Sequence, residues 1–284
     1  IIGAAIAGAV IANRVQTEIS TSTLRSQRQI SGTTLLSERE KAESQLRASM
    51  FGSLIEPIIG SPKGGLIPLD REQLLVELLA LNFHEHFEMK PLFQRVDARL
   101  AAMRDKSAQE RRASLRSIAR RIIDRQTAMF QKEEDGGRSD KQKAHVYSLT
   151  IVEEPKEQDE KQQRYLEMLK KGGSKVYQVG DLIDDLATPD QRHRFTMVIS
   201  QADWDKQEFI AEVYESPSMS NGPNADQAHT TRYPIGLTWF DFPLTDNTLF
   251  PDGNRFSVVL YNVLERDPLR KMTLKFIVFP RNYF

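Results

Sequence analysis

Residues 131 to 152 read QKEEDGGRSDKQKAHVYSLTIV, and the hydrophobic pattern of the chain changes across this stretch. Before it, apolar residues recur at the spacing of amphipathic helices, whereas from His145 onward they fall in short runs of β-branched and aromatic residues. The segment from Gln131 to Ala144 is charged and contains Gly136-Gly137, which is typical of a linker. The sequence therefore predicts an α+β protein, with helices before a linker at 135–144 and an all-β domain after it.

Residues 145–284 are predicted to form a β-sandwich-like domain. A turn is expected at Asp252-Gly253, a long irregular loop from Pro217 to His229, and short helices from Asp181 to Leu186 and near Arg164 to Lys170. Strands at this spacing favour a sandwich or a partly open barrel over a parallel α/β sheet. Seven runs have the length and composition of strands: His145 to Val152, Lys175 to Val179, Phe195 to Ser200, Glu208 to Glu215, Ile235 to Phe242, Arg255 to Val263 and Met272 to Phe279.

Residues 61–134 are predicted to be a three-helix region. Asp70 is expected to be the N-cap of the first helix, and Pro91 suits the first turn of the second. Ser107 followed by Glu110 has the spacing of a capping box and predicts the start of the third helix. Short connections between these amphipathic segments favour a small bundle.

Residues 1–13 contain the apolar run IIGAAIAGAVIA. A spanning helix needs about 20 apolar residues, so this run alone is too short, and a chain that starts at Ile1 suggests the remnant of a longer membrane anchor. A fusion-peptide-like N-terminus and a buried core helix are the alternatives. Arg14, Arg25 and Arg28 follow the run, which predicts a single-pass membrane protein with the bulk of the chain on the cytoplasmic side.

Residues 14–60 are predicted to form a juxtamembrane helical stalk. The stretch sustains no clean heptad repeat, and its apolar residues are too sparse to build a core of their own. We therefore expect the stalk to associate with other copies, as the helices of a coiled coil do, or with neighbouring subunits. The apolar side chains that need such cover are Ile19, Ile30, Leu35, Leu36, Leu46 and Met50.

The composition excludes several chemistries. With no Cys among 284 residues, the chain has no disulfide, no thiolate metal site and no cysteine nucleophile. Lys plus Arg equal Asp plus Glu, so the net charge of zero gives no general attraction to nucleic acid. The sequence contains no Gly-x-Ser-x-Gly elbow, no phosphate-binding loop and no dinucleotide fingerprint, and no cofactor is predicted.

The charge is unevenly distributed, because Lys90 to Arg125 holds eleven Lys and Arg against four Asp and Glu. Within it Arg112, Arg116 and Arg120 recur every four residues and line one side of the third helix. The stripe is interpreted as a solvated face or as a contact for an acidic protein or anionic lipid. Nucleic acid is the weakest reading, because no aromatic residues alternate with the arginines in sequence.

Five carboxylates lie at predicted strand ends, and they are the candidate calcium ligands: Asp203, Asp205, Asp241, Asp246 and Asp252. Asp is also an ordinary turn residue, and that interpretation is preferred. His84, His86 and Glu88 form the other concentration of metal-binding residue types. They lack the His spacing of a zinc helix, so ordinary hydrogen bonding is preferred there too.

These observations predict a membrane-anchored, non-catalytic scaffold or interaction subunit of a larger membrane complex. Its expected partners are the membrane, other protein subunits and further copies of the chain. The alternative is a membrane-associated effector or hydrolase, in one form calcium-dependent, with its site in the β-domain loops. That alternative requires several loop carboxylates to meet His193 or His229 in one pocket.

Overall fold

The computed structural model of the chain describes residues 38–39, 41–59, 67–85, 87–132, 144–171, 175–188, 191–217, 230–250, 252–265 and 268–279. Contacts between residues divide the chain into two compact units, Ile1–Gly65 and Leu66–Phe284. The protein is a mixed α+β structure with helices and two β-sheets.

The first unit contains a helix described over residues 41–59 (α1). Leu46 and Met50 lie four residues apart on α1, and 61% and 41% of their surfaces are exposed. No helix within the described residues is long and apolar enough to cross a bilayer. The predicted anchor, Ile1 to Ala12, and the stalk residues up to Leu36 lie outside the described residues.

The second unit begins with three helices, which confirms the helical assignment of this region: α2 (Leu69–Phe83), α3 (Lys90–Met103) and α4 (Lys106–Lys132). They pack against one another through apolar residues at helical spacing, among them Leu79, Phe93, Val96, Leu115 and Ile122.

Two of the predicted helix starts are corrected. Asp105, and not Ser107, caps α4, because its Oδ1 accepts the backbone N–H of Ala108 at 2.6 Å. Asp70 lies inside the first turn of α2, whose N-cap position is Pro68, so its negative charge interacts favourably with the helix dipole, and its side chain does not cap a backbone N–H.

Two sheets follow. The first has the strand order β2-β1-β9-β8-β7 and the second β3-β4-β5-β6. Neighbouring strands are antiparallel except for β1 and β2, which are parallel and separated by the helix α5 (Glu160–Lys171). The strands are β1 (His145–Val152), β2 (Val176–Gln178), β3 (Ile183–Ala187), β4 (His193–Asp203), β5 (Glu208–Pro217), β6 (Thr231–Leu237), β7 (Thr248–Leu249), β8 (Arg255–Leu264) and β9 (Lys271–Phe279).

The segment predicted as a helix at Asp181 to Leu186 is wrong, because it contains the strand β3. Ile183 and Leu186 pair with β4 across a bulge, and Asp185 takes a left-handed φ of 65° within it. The run Ile235 to Phe242 is a strand only up to Leu237, after which the chain turns. The helix expected near Arg164 to Lys170 is confirmed as α5.

The sheets pack face to face around aromatic side chains. Phe195 of β4 lies 5.5 Å from the ring centroid of Phe256 on β8 and 5.3 Å from that of Phe276 on β9. Tyr233 of β6 meets Phe256 edge-on at 5.6 Å. This two-layered arrangement fits a β-sandwich.

The helices α3 and α4 are attached directly to the β layers. Phe93 of α3 is fully buried and lies 5.2 Å from the ring centroid of Phe240 and 5.6 Å from that of Phe242. Gln126 of α4 accepts the backbone N–H of Leu244 at 3.2 Å. Helices and sheets therefore lie in one compact unit, Leu66–Phe284. The domain boundary predicted at the linker 135–144, of which only Ala144 is among the described residues, stays a prediction.

Candidate binding groove between helix and sheets

A groove runs between α3 and α4 on one side and the ends of β4, β5, β6 and β8 on the other. It consists of two adjoining cavities of about 950 Å³ and about 340 Å³. Both cavities are lined by five of the same residues: Ala113, Arg116, Gln207, Trp239 and Glu265. The size of each is within the usual range for ligand sites.

The three arginines of the predicted stripe line the α4 side of this groove, and the first of them is neutralised. Arg112 donates from Nε and Nη2 to the two carboxylate oxygens of Asp97, each at 2.8 Å. These hydrogen bonds raise the pKa of Arg112, against the opposing effect of burial. In this bidentate geometry both carboxylate oxygens of Asp97 accept a hydrogen bond from Arg112, so this ion pair holds α4 against α3.

Arg116 has a different environment. Its guanidinium carbon lies 5.0 Å from the ring centroid of Trp239, and its Nε is buried without a hydrogen-bond partner. Within the described residues it makes no ion pair. Burial, together with the positive charge of Arg112, lowers the pKa of Arg116. The charges of Asp97 and Glu265 oppose this shift without reversing it. The side chain is therefore a partly buried cation over an aromatic ring, with no ion pair within the described residues.

Arg120 repeats this arrangement one helical turn further along α4. Its guanidinium lies 6.0 Å from the ring centroid of Tyr261, and its Nε is also buried and unpaired. The Tyr261 hydroxyl donates to Asp124 at 3.2 Å, and Lys275 lies 4.0 Å from the Tyr261 ring centroid while pairing with Asp124 at 2.9 Å. These contacts hold the ring in place beneath Arg120.

The opposite wall of the groove is polar and acidic. Trp239 donates from Nε1 to Oε1 of Gln207 at 2.7 Å, and Gln207 in turn donates from Nε2 to Glu265. Glu208 and Asp205 also line the larger cavity, where Asp205 pairs with Arg270 at 2.6 Å. Lys206 lines the same side and pairs with Asp203, so Glu208 and Glu265 are the lining carboxylates that make no ion pair within the described residues. The groove thus has a cationic wall on α4 and two unpaired carboxylates on the β side.

The five candidate calcium ligands do not gather in one place. Asp241 and Asp246 meet at Lys90, which bonds to both, the second at 3.4 Å. Asp203 pairs with Lys206, Asp205 with Arg270 and Asp252 with His193. Across the described residues, no group of three or more His, Asp or Glu could hold a metal ion.

His193 forms a separate cluster at the edge of the sheets. Its Nδ1 lies 2.7 Å from Glu215 of β5 and its Nε2 lies 2.7 Å from Asp252 in the turn before β8, while its ring stacks on Phe250 at 5.0 Å. Burial acts to lower the pKa of His193, but the two carboxylates outweigh it and the pKa is raised. The imidazole therefore links the two sheets.

Of the other predicted metal-binding residues, the structure describes His84 and Glu88. His84 immediately follows α2 and accepts, through its backbone carbonyl, a hydrogen bond from Gln126 at 2.8 Å. Because α2 ends at Phe83, His84 and Glu88 do not share a helical face. His86 and His229 lie outside the described residues.

Sequence reasoning found the cationic wall of the groove but missed the β-side residues. The four-residue spacing of Arg112, Arg116 and Arg120 placed them on one face of α4. Trp239 and Tyr261 come from strands and turns far along the chain, so no local pattern connects them to those arginines.

The comparisons with protein-family models, curated proteins and solved structures found no match. The proposed function therefore rests on the chemistry of the groove.

Proposed function

We propose that this protein is a membrane-anchored, non-catalytic interaction subunit of a larger complex, and that the groove binds a partner protein. The proposed anchor is the apolar run from Ile1 to Ala12, which is supported by the sequence pattern alone. The observation that carries the binding proposal is the pair Arg116 and Arg120. Both cations lie in an open groove over aromatic rings, with buried Nε atoms that have no acceptor.

Arg116 and Arg120 lack the hydrogen-bonded acceptor that normally makes a buried arginine stabilising. A guanidinium that loses water without gaining an acceptor costs free energy, and the lowered pKa of Arg116 reflects that cost. A partner cannot reach the buried Nε atoms, but acceptors placed at the terminal nitrogens of these half-buried side chains would offset part of that cost. Perturbed ionisable groups in a cleft are candidates for binding sites on this ground.

The competing proposal, an effector or hydrolase in the β-domain loops, has less support. It requires loop carboxylates to converge on a histidine that can accept a proton from the substrate. Both ring nitrogens of His193 already face a carboxylate, Glu215 on one side and Asp252 on the other. The carboxylates of Asp203 and Asp205 lie at a different turn and are paired with Lys206 and Arg270.

We further propose that the stalk mediates association of copies. Leu46 and Met50 of α1 are large apolar side chains, four residues apart and exposed. Burying each against a neighbouring helix would contribute roughly 1.5 to 3 kcal/mol before the cost of ordering. This proposal concerns α1 alone and is independent of the groove.

The test is the native mass of the detergent-extracted protein, measured with and without substitutions in α1. We expect a mass above that of one chain, and a lower mass for Leu46→Ser combined with Met50→Ser. Gln45→Ser combined with Ala48→Ser is the matched control, because it introduces the same residues at other positions of α1.

Two results would overturn the proposal. A wild-type protein that migrates as a single chain with no other subunit is not part of a complex. An oligomer that survives Leu46→Ser and Met50→Ser unchanged is assembled elsewhere, and the role proposed for α1 is then wrong.

A further inference from the structure

We infer that the groove binds an extended peptide segment in which acidic residues alternate with basic or amide residues. The acidic side chains contact Arg116 and Arg120, and the intervening side chains contact Glu265 and Glu208. This inference deepens the proposed function, because it assumes that the groove is a protein-binding site and specifies the chemistry of the bound segment.

The free donors of the arginines point to a carboxylate ligand. A guanidinium over an aromatic ring is attracted to the ring face without using its N–H donors. Arg116 and Arg120 lie over Trp239 and Tyr261, at 5.0 Å and 6.0 Å from the ring centroids. Their Nε atoms are buried, so the donors left for a ligand are the terminal guanidinium nitrogens, which make no hydrogen bond within the described residues. Arg112 serves as an internal comparison, because its Nε and Nη2 are occupied by the carboxylate of Asp97.

The spacing of the two arginines matches an extended chain. Four residues along a helix correspond to an axial rise of about 6 Å. Side chains two residues apart on one side of an extended peptide are separated by roughly 6.5 to 7 Å. Carboxylates at alternate positions of such a peptide can therefore reach Arg116 and Arg120 simultaneously.

The opposite wall determines what lies between the acidic residues. In an extended peptide, consecutive side chains point to opposite sides, so the intervening residues face the β side of the groove. Glu265 and Glu208 lie there without an ion pair among the described residues, and Gln207 already donates to Glu265. Lys, Arg, Asn or Gln side chains complement this wall.

The same wall disfavours the other anionic partners. A nucleic-acid backbone presents negative charge on every side, so one of its edges would meet Glu265 and Glu208. A bilayer surface presents negative charge over a plane and does not enter a groove between a helix and two sheets. A peptide of alternating charge satisfies both walls.

The test uses the 284-residue chain in detergent and fluorescein-labelled octapeptides, with binding measured by fluorescence anisotropy. The labelled probes are a Glu-Lys alternating octapeptide, a block octapeptide of four Glu followed by four Lys, and an eight-residue oligothymidylate, and glycerophosphoserine, the soluble headgroup of phosphatidylserine, is added as a competitor. We expect saturable binding of the alternating peptide, at least tenfold tighter than that of the block peptide. Equal or tighter binding of the block peptide or the oligothymidylate would overturn the inference, as would displacement of the alternating peptide by glycerophosphoserine at the concentration at which unlabelled peptide displaces it, or no binding of the alternating peptide.

Variants locate the binding site. Arg116→Gln and Arg120→Gln should each weaken binding of the alternating peptide by about tenfold or more, since each removes a charge-assisted hydrogen bond. Arg121→Gln is the matched control, because it removes the same charge from an exposed neighbouring position of α4, and it should change the affinity by less than about twofold.

Two conservative variants show whether binding depends on the planar shape of the guanidinium or on charge alone, and whether a loss of binding is due to misfolding. Arg116→Lys keeps the charge but not the planar fork, and should lose most of the affinity that Arg116→Gln loses. Glu265→Gln should weaken binding of the alternating peptide several-fold. Equal losses for Arg121→Gln and Arg116→Gln, or full affinity in Arg116→Gln, would contradict the inference. Because association through α1 is independent of the groove, the native mass should be unchanged in Arg116→Gln with Arg120→Gln. A wild type of high native mass that does not bind the alternating peptide would overturn the inference and leave the role as an interaction subunit standing.

Discussion

Two cationic side chains lie where the helices meet the β layers, and the protein shifts their pKa values in opposite directions. At one end, burial acts to lower the pKa of Lys90, but Asp241 and Asp246 outweigh burial and the pKa is raised. In the groove, burial and the charge of Arg112 lower the pKa of Arg116, although the charges of Asp97 and Glu265 oppose them and the Trp239 ring lies 5.0 Å from the guanidinium. Within the described residues the first cation has hydrogen-bonded carboxylates, and the second has none.

Of the two contacts, the one at Lys90 stabilises the fold. The pKa of Asp241 is also raised, because its burial outweighs the ion pair, so the carboxylate depends on Lys90 to remain charged. That carboxylate additionally accepts the backbone N–H of Thr238, which fixes the turn after β6. Lys90 therefore holds α3 on the sheets, whereas the groove arginines are available to a ligand.

The largest effect is expected from the apolar contact next to Lys90. Phe93→Ala should lower the free energy of unfolding by about 3 to 5 kcal/mol, because it leaves a cavity beside Phe240 and Phe242. Denaturant unfolding followed by circular dichroism measures the change. Met168→Ala, which shortens an exposed side chain on α5, should have little effect; an equal loss at both sites would mean that α3 is not anchored through Phe93.

Lys90→Met is expected to have the next largest effect. It leaves Asp241 buried without its cation, which should cost about 3 kcal/mol in the free energy of unfolding at neutral pH. Lys206→Met is the control, since its ion pair with Asp203 is exposed and should contribute little. If the two substitutions cost the same, the contact at Lys90 is no more structural than a surface pair.

A smaller effect is expected at His193, and it depends on pH. Because the pKa of His193 is raised above 6.5, its stabilising contribution is present below pH 6.5 and is lost as the pH rises through the folded-state pKa. The pKa of Asp252 is lowered, so the contribution of Asp252 is lost only under acidic conditions.

Unfolding free energies of the wild type and His193→Gln, compared between about pH 5.5 and about pH 9, measure this effect. We expect the wild type to lose on the order of 1 kcal/mol more than the variant as the pH rises, since hydrogen bonds to charged groups contribute about this much. Parallel pH profiles for the two proteins would show that the cluster of His193, Glu215 and Asp252 does not link the sheets electrostatically.

The sequence predicted the elements whose pattern is local. The run from His145 to Val152 is a strand because its residues alternate between faces of a sheet, and that pattern is visible in one segment. β3 was not predictable in this way, because two aspartates interrupt its pattern and the strand exists only through its pairing with β4. The predicted anchor lies outside the described residues and stays a prediction.

For the groove, too, only the local pattern could be predicted from the sequence. Helical spacing assigned the arginines to one face, yet it could not tell a solvated face from a groove wall, since that depends on what packs opposite. Arg112 and Arg116 have equivalent positions in the sequence pattern, and only the three-dimensional structure separates the arginine paired with Asp97 from the one stacked on Trp239.

The most direct test of the account is the free energy of unfolding of the double variant Arg116→Gln and Arg120→Gln, measured beside its affinity for the alternating octapeptide. Because neither arginine has a hydrogen-bond acceptor within the described residues, we expect a stability within about 0.5 kcal/mol of the wild type, or slightly above it, together with loss of peptide binding. A large loss of stability, comparable with that of Lys90→Met, with peptide affinity unchanged would contradict the account, because the groove arginines would then belong to the fold.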